Sequence, residues 1–235
     1  MKKLLTLFSI TVLGLSTAFA NVEMDLNLYS APASTIKVKA QTDGFSAELN
    51  PKNAFGVETQ FGFFFDAPKS FLDWGLGLSF GVDFNDKASA SISGYDFDNF
   101  PLDFSFSTYL TLGPAFRFHV GDRHSFLVSP GLMCNFQNMW CDDFSWLGFY
   151  TGFNLDLGYR FWIVNKTGYH FGFNVGIDTT FPFNGYAYTS RLFPEYESHT
   201  SRHLDHDFDI KGGNSTKIYF GLCFNFGDKA PDKAR

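Results

Sequence analysis

From Phe55 to Phe226 the chain alternates between large apolar side chains and small or polar ones. Seven segments carry the pattern: 55–65, 74–84, 104–118, 126–136, 147–161, 169–181 and 218–226. A period of two is the mark of β-strands with two unlike faces. One parity of these segments holds 21 of the 32 phenylalanines and no Asp, Glu, Lys or Arg at any of its 46 positions. At the chain's charged content, about eight would fall there by composition alone. The other parity holds 13 of the 22 glycines, together with Glu58, Asp83, Arg117, Asp156, Arg160 and Asp178; Lys217 stands one step before the last segment. A water-soluble barrel encloses its aromatics. Here the small, charged face is the one that fits inside, and the greasy face suits lipid, where a Lys or Arg costs about 2–4 kcal/mol at mid-bilayer. The pattern predicts an all-β, antiparallel, up-and-down transmembrane β-barrel.

Single-chain barrels of this type carry even strand numbers, so seven segments call for an eighth, before Phe55. Two stretches compete for it: Val22–Leu28, which is preferred and would turn its acids to the lumen, and Ile36–Ala40. The first choice makes 30–53 a long loop. The short links 66–73, 119–125 and 162–168 hold turn residues such as Asp66-Ala67-Pro68 and Gly121-Asp122, and are expected at the periplasmic side. The links 85–103, 137–146 and 182–217 are expected to face outward as loops. Trp74 and Trp162 near the periplasmic ends, and Trp146 near the outer end, read as an interfacial girdle, with Trp140 in a loop. Pro114 and Pro130 each lack a ladder donor; in a hairpin centred near Asp122 they face each other, which predicts a bulge or kink.

Residues 1–20 pair Lys2-Lys3 with an apolar run from Leu4 to about Leu15 and end Ala18-Phe19-Ala20, the form of a secretory signal peptide cut after Ala20. The barrel is then expected over 21–226 as a single domain, with a polar tail at 227–235. Alternation explains how a chain read as membrane-spanning has a mean hydropathy of only −0.08. The formal charge of −6 argues against a nucleic-acid partner. Of the cysteines, Cys134 has lipid parity, Cys141 lies in the following loop and is a candidate to bridge it, and Cys223 points inward as a small thiol.

The final alternating stretch runs from Lys217 to Phe226, with Phe220, Leu222, Phe224 and Phe226 on one face. It resembles the C-terminal insertion signal of bacterial outer-membrane proteins, whose aromatic residue is usually terminal; here the tail 227–235 follows it. With the leader and the alternating strands, the chain resembles the small eight-stranded outer-membrane barrels of the OmpX/OmpA/OmpW kind over nearly all of 21–226. The resemblance implies an outer-membrane location, lipid as the surrounding solvent, insertion by the barrel assembly machinery and a monomeric barrel. It implies no particular activity.

Chemistry has four candidate seats. The inward charges Glu58, Asp83, Arg117, Asp156, Arg160, Asp178 and Lys217 fit a salt-bridged plug, since an eight-stranded barrel is just wide enough to be filled by side chains. The inward glycines keep open a narrow polar path instead. In the last loop His199, His203 and His206 stand among acids, a composition able to take a divalent cation, or simply a solvated acidic loop. Ser198, Ser201 and Asp205 beside His203 supply the residue types of a hydrolase, but no motif fixes their geometry, and no enzyme is expected. Loop aromatics (Tyr95, Phe97, Phe100, Trp140, Phe144, Tyr186, Tyr188, Phe193, Tyr196) could anchor an extracellular protein, cover the barrel mouth or sit among headgroups. The expected role is a structural or surface-interaction barrel with a plugged lumen and no cofactor; the alternative is a narrow channel for small solutes.

Overall fold

The computed structural model describes residues 21–40, 46–65, 71–92, 95–141, 144–166, 168–190 and 205–227. Residues 1–20 and 228–235, the segment 191–204 and therefore His199 and His203 lie outside the described residues, and the side chain of His206 is not described. Ten strands form in chain order: β1 Asn21–Ala40, β2 Ser46–Phe64, β3 Leu72–Phe84, β4 Lys87–Ile92, β5 Tyr95–Pro101, β6 Phe104–Val120, β7 His124–Cys141, β8 Phe144–Lys166, β9 Gly168–Ser190 and β10 Asp205–Gly227. Eight of them close a ring, β1-β2-β3-β6-β7-β8-β9-β10, with β10 pairing back onto β1 and every contact antiparallel. Counted round the ring from Ile218, the ladder reaches Phe116 of β6 through β9, β8 and β7, and Phe106 through β1, β2 and β3. That stagger is what tilts the strands and closes the barrel.

The strands run well past the alternating segments, and four expectations change. Both candidates for the first strand belong to one strand, β1, joined across a register shift between Ser30 and Ala33. The stretch 30–53 is thus mostly ladder and not a loop. Within 85–103 a hairpin forms: β4 continues β3's pairing along β2, and β5 folds back on β4. The links 137–146 and 182–217 are likewise mostly strand, because β7, β8, β9 and β10 extend into them. Pro114 and Pro130 do face each other, but with no bulge. Pairing lapses between Leu112↔Leu132 and Phe116↔Val128 and resumes in the same register. Ser129 Oγ donates to the Pro114 carbonyl at 3.2 Å, replacing one lost ladder bond.

The extra length escapes the alternation rule because its parity inverts. In the lower part of β1, Glu23, Asp25 and Asn27 are buried and Leu26 and Leu28 exposed. In its upper part Ile36 and Val38 are buried and Lys37 and Lys39 exposed. β10 does the same across Gly212 and Gly213, whose φ values of 147° and 134° suit glycine: Phe208 and Ile210 turn in, Lys211 turns out. Below the inversion the outside is lipid; above it the sheet behaves like a protein in water, with its apolar face inward. The lipid-facing assignment of the lower wall predicts that Leu222→Arg lowers stability by about 2–4 kcal/mol while Lys39→Ala changes it little; reversible unfolding in lipid vesicles measures both.

Candidate functional site

The lumen is filled in three layers. The layer nearest the short turns is built on two arginines. Arg117 of β6 donates from Nη1 to Glu23 Oε2 at 2.7 Å and from Nη2 to Asp73 Oδ2 at 2.7 Å, and its guanidinium lies 4.2 Å from the centre of the Phe64 ring. Arg160 of β8 pairs through Nε with Glu23 and through Nη2 with Asp25. Glu23 therefore joins the two arginines, one at each carboxylate oxygen. His119 Nε2 lies 2.7 Å from Asp73 Oδ2, and beside it Trp162 Nε1 donates to Ser125 Oγ at 3.2 Å. Four strands, β1, β3, β6 and β8, are tied through charged groups that are all nearly inaccessible.

The middle layer pairs tyrosines with carboxylates. Tyr29 donates to Asp83 at 2.9 Å, Tyr219 to Asp156 at 2.7 Å, and Tyr109 to Glu58. Asn27 and Gln60 add donors to Glu58 at 3.1 and 2.5 Å, and Asn174 donates to Asn27 at 2.8 Å. Lys217 puts its ammonium 3.1 Å from the centre of the Tyr109 ring and 4.9 Å from that of Tyr29, a cation–π seat. The glycines that share the inward face make this layer possible. A Cβ on Gly81 would stand 2.3 Å from the Tyr109 ring, one on Gly56 2.4 Å from Tyr29, and one on Gly176 2.3 Å from Tyr219. Each tyrosine lies across a glycine of a neighbouring strand, so these glycines give their space to rings rather than to a passage.

The outer layer is mostly apolar, with Ser105 facing Met139 and Gln137 buried nearby. Ile36, Val38, Met139, Trp146, Phe208 and Ile210 are buried together in the upper barrel, with the Trp146 and Phe208 rings 6.4 Å apart. Two cavities interrupt the filling. One, of about 30 Å³, lies where Asp25, Gln60, Thr111, Asp156 and Arg160 meet; the other, of about 20 Å³, touches Asp83, Asn135, Tyr150 and Lys217. Each has room for one or two waters and nothing larger.

All seven inward charges of the sequence analysis are buried: Glu58, Asp83, Arg117, Asp156, Arg160, Asp178 and Lys217. Three acids that hold the arginines stood outside that set. Glu23 and Asp25 belonged to a strand with two candidate positions, and Asp73 fell one residue before the segment begun at Trp74. The tyrosines were readable from parity, since Tyr109 and Tyr219 share it with Gly113 and Gly221. The tryptophan girdle needs correction. Trp74 is exposed on the outer face against Phe65, but Trp146 and Trp162 are each 3% exposed and point inward. Both have the parity of Gly148 and Gly152 on a strand that runs past them, so they fill the lumen. Trp140 is the other outward tryptophan, 55% exposed on β7 rather than in a loop. Phe220, Leu222, Phe224 and Phe226 alternate outward along β10 between buried Tyr219, Cys223 and Asn225. Cys134 is free on the outer face, so the candidate bridge to Cys141 is not formed. Among the described residues no group of three or more His, Cys, Asp or Glu could hold a metal ion.

Two substitutions probe the layers. Arg160→Ala leaves Glu23 and Asp25 without their cation and is expected to cost about 3–5 kcal/mol of unfolding free energy. Gly176→Val drives a branched side chain into Tyr219 and is expected to cost about 1–3 kcal/mol, less in a Tyr219→Phe background if the ring can then move. Denaturant titration followed by tryptophan fluorescence measures both.

No family model matches the chain, and no curated protein matches it. Solved structures do. The outer-membrane protein OprG of Pseudomonas aeruginosa superposes with a TM-score of 0.56 at 11% identity, over 89% of this chain and 97% of that one. The attachment invasion locus protein Ail of Yersinia pestis gives 0.42 at 14% identity, over 88% and 99%. The outer-membrane protease OmpT of Escherichia coli gives 0.45 at 7% identity, over 88% and 97%. The likeness to OprG bears on the fold alone: it is that of a bacterial outer-membrane β-barrel.

Proposed function

We propose that this chain is a structural or surface-interaction barrel of a bacterial outer membrane, with a lumen closed by its own side chains. The observation that carries the reading is the stacking of three sealed layers. Paired arginines stand below, tyrosine–carboxylate pairs in the middle and a mostly apolar cap above, with water-sized cavities among them. Solute passage requires a continuous polar path, and the mostly apolar cap offers ions few groups to replace their hydration. Closed at its core, the barrel acts through what it presents outside the membrane: the polar upper wall of β1 and β10 and the β4–β5 hairpin. No catalytic step is assigned to it. Outer-membrane lipid surrounds the wall, and the alternating face of β10 is what the assembly machinery would read.

A second reading, a narrow channel for small solutes, draws on the two polar cavities, which flank the middle layer. Opening would have to part Lys217 from Tyr109 and displace the cap.

Planar-bilayer recording of the refolded barrel separates the two. With folding verified by a heat-modifiable gel shift, the closed barrel gives a silent bilayer. Discrete openings whose size or selectivity changes in Asp178→Asn would establish the channel instead.

A further inference from the structure

The middle layer is out of electrical balance. Glu58, Asp83, Asp156 and Asp178 are each 6% exposed or less, and among the described residues none stands in a direct ion pair. One ammonium, Lys217, stands in this layer, directly across from Asp178 on the neighbouring strand. Asp156 and Asp178 are direct cross-strand neighbours, a like-charge pair that repels. The tyrosine hydroxyls stabilise three of the carboxylates but bring no charge. Below them the arginines are already engaged by Glu23, Asp25 and Asp73. Carboxylates buried in this way persist only with a positive partner.

The larger cavity points to that partner independently. Three residues of its lining carry oxygens with no hydrogen-bond partner, Asp25 Oδ1, Gln60 Oε1 and Thr111 Oγ1, and these residues are 1%, 7% and 6% exposed. The Gln60 amide nitrogen is fixed on Glu58, so it is the oxygen that is free. Asp156 lines the same space. A proton would need no volume, and a water would bring no charge. Volume, unused oxygen donors and a surplus of negative charge together describe a hard cation. The absence, among the described residues, of any group of three acids or histidines able to hold a metal ion disfavours a divalent ion.

We propose that the cavity bounded by Asp25, Gln60, Thr111 and Asp156 binds one alkali-metal cation, which offsets part of the negative surplus of the plug. Arg160 shares the wall, but it is tied to Glu23 and Asp25; its unpartnered Nη1 takes a water beside the ion. The inference rests on the lumen being closed. Its test reads folding rather than conductance, so bilayer openings would overturn the closed lumen separately.

The measurement is the unfolding midpoint of the refolded full chain in detergent micelles. Sodium, potassium and N-methyl-D-glucamine chlorides are compared at one pH and one ionic strength. The midpoint should climb with sodium or potassium and then saturate, with no such rise in N-methyl-D-glucamine, which is too large for the cavity. Asp156→Asn should abolish the rise, and Thr111→Val should require about tenfold more cation to reach it, the equivalent of one lost ligand. Superimposed curves in the three chlorides would overturn the proposal and leave the cavity to water and the carboxylates to protons. Where Asp156→Asn does not fold, an unaltered response in Thr111→Val would overturn the site as located here.

Discussion

Everything in this barrel follows from having charge on the inside of a wall whose outside is lipid. A carboxylate or guanidinium on the inward parity cannot reach bulk water, so it must find a partner across the lumen. Glu23 meets that constraint most fully, taking Arg117 on one oxygen and Arg160 on the other. Because those partners come from β1, β6 and β8, the contact is made only when the ring is closed and in register. A one-residue slip of any of the three strands would turn its charged group to the lipid. The pairing that fills the lumen thus also specifies the barrel.

The layers divide the work by chemistry. Arginine below can hold two acids at once in a planar fork. Tyrosine in the middle supplies bulk and a hydroxyl donor on one side chain, and the glycine opposite accommodates its ring. Above the inversion of parity the inner face is apolar, so the upper barrel packs as the core of a water-soluble sheet would. These solutions stack along one axis, and in the proposed reading each closes the section of lumen it occupies.

The alternation of the lower wall was legible in the sequence because one rule, large apolar and uncharged outward, small or polar inward, holds over most of the lipid-facing span, with no charged residue outward. The identity of seven of the buried charges came with it, but not Glu23, Asp25 and Asp73. What lay beyond that span was not legible. Ile36 and Lys37 obey the opposite rule from Asp25 and Leu26 on the same strand, and the inversion rests on a register shift and on the positive-φ glycines Gly212 and Gly213, which composition does not announce. The upper strands therefore read as loops, and Trp146 and Trp162 as residues beyond a strand end. Glycine misled in another way: its parity suggested open space, whereas the space is taken by tyrosines of adjacent strands. Partner choice, such as Arg160 with Asp25 across 135 residues of chain, depends on closure of the ring and has no local signal.

Solvent exclusion from the lumen is the central claim, and the chain carries its own probe. Cys223 is a free thiol on the inward face of β10, 0% exposed, whereas Cys134 is free on the outward face of β7. In a variant with Cys134 and Cys141 replaced by serine, a small charged thiol reagent should leave Cys223 unmodified in the folded barrel and label it only on unfolding. Rapid labelling of Cys223 in the heat-resistant, folded form would mean that water and solutes enter the lumen, and would contradict the closed barrel described here.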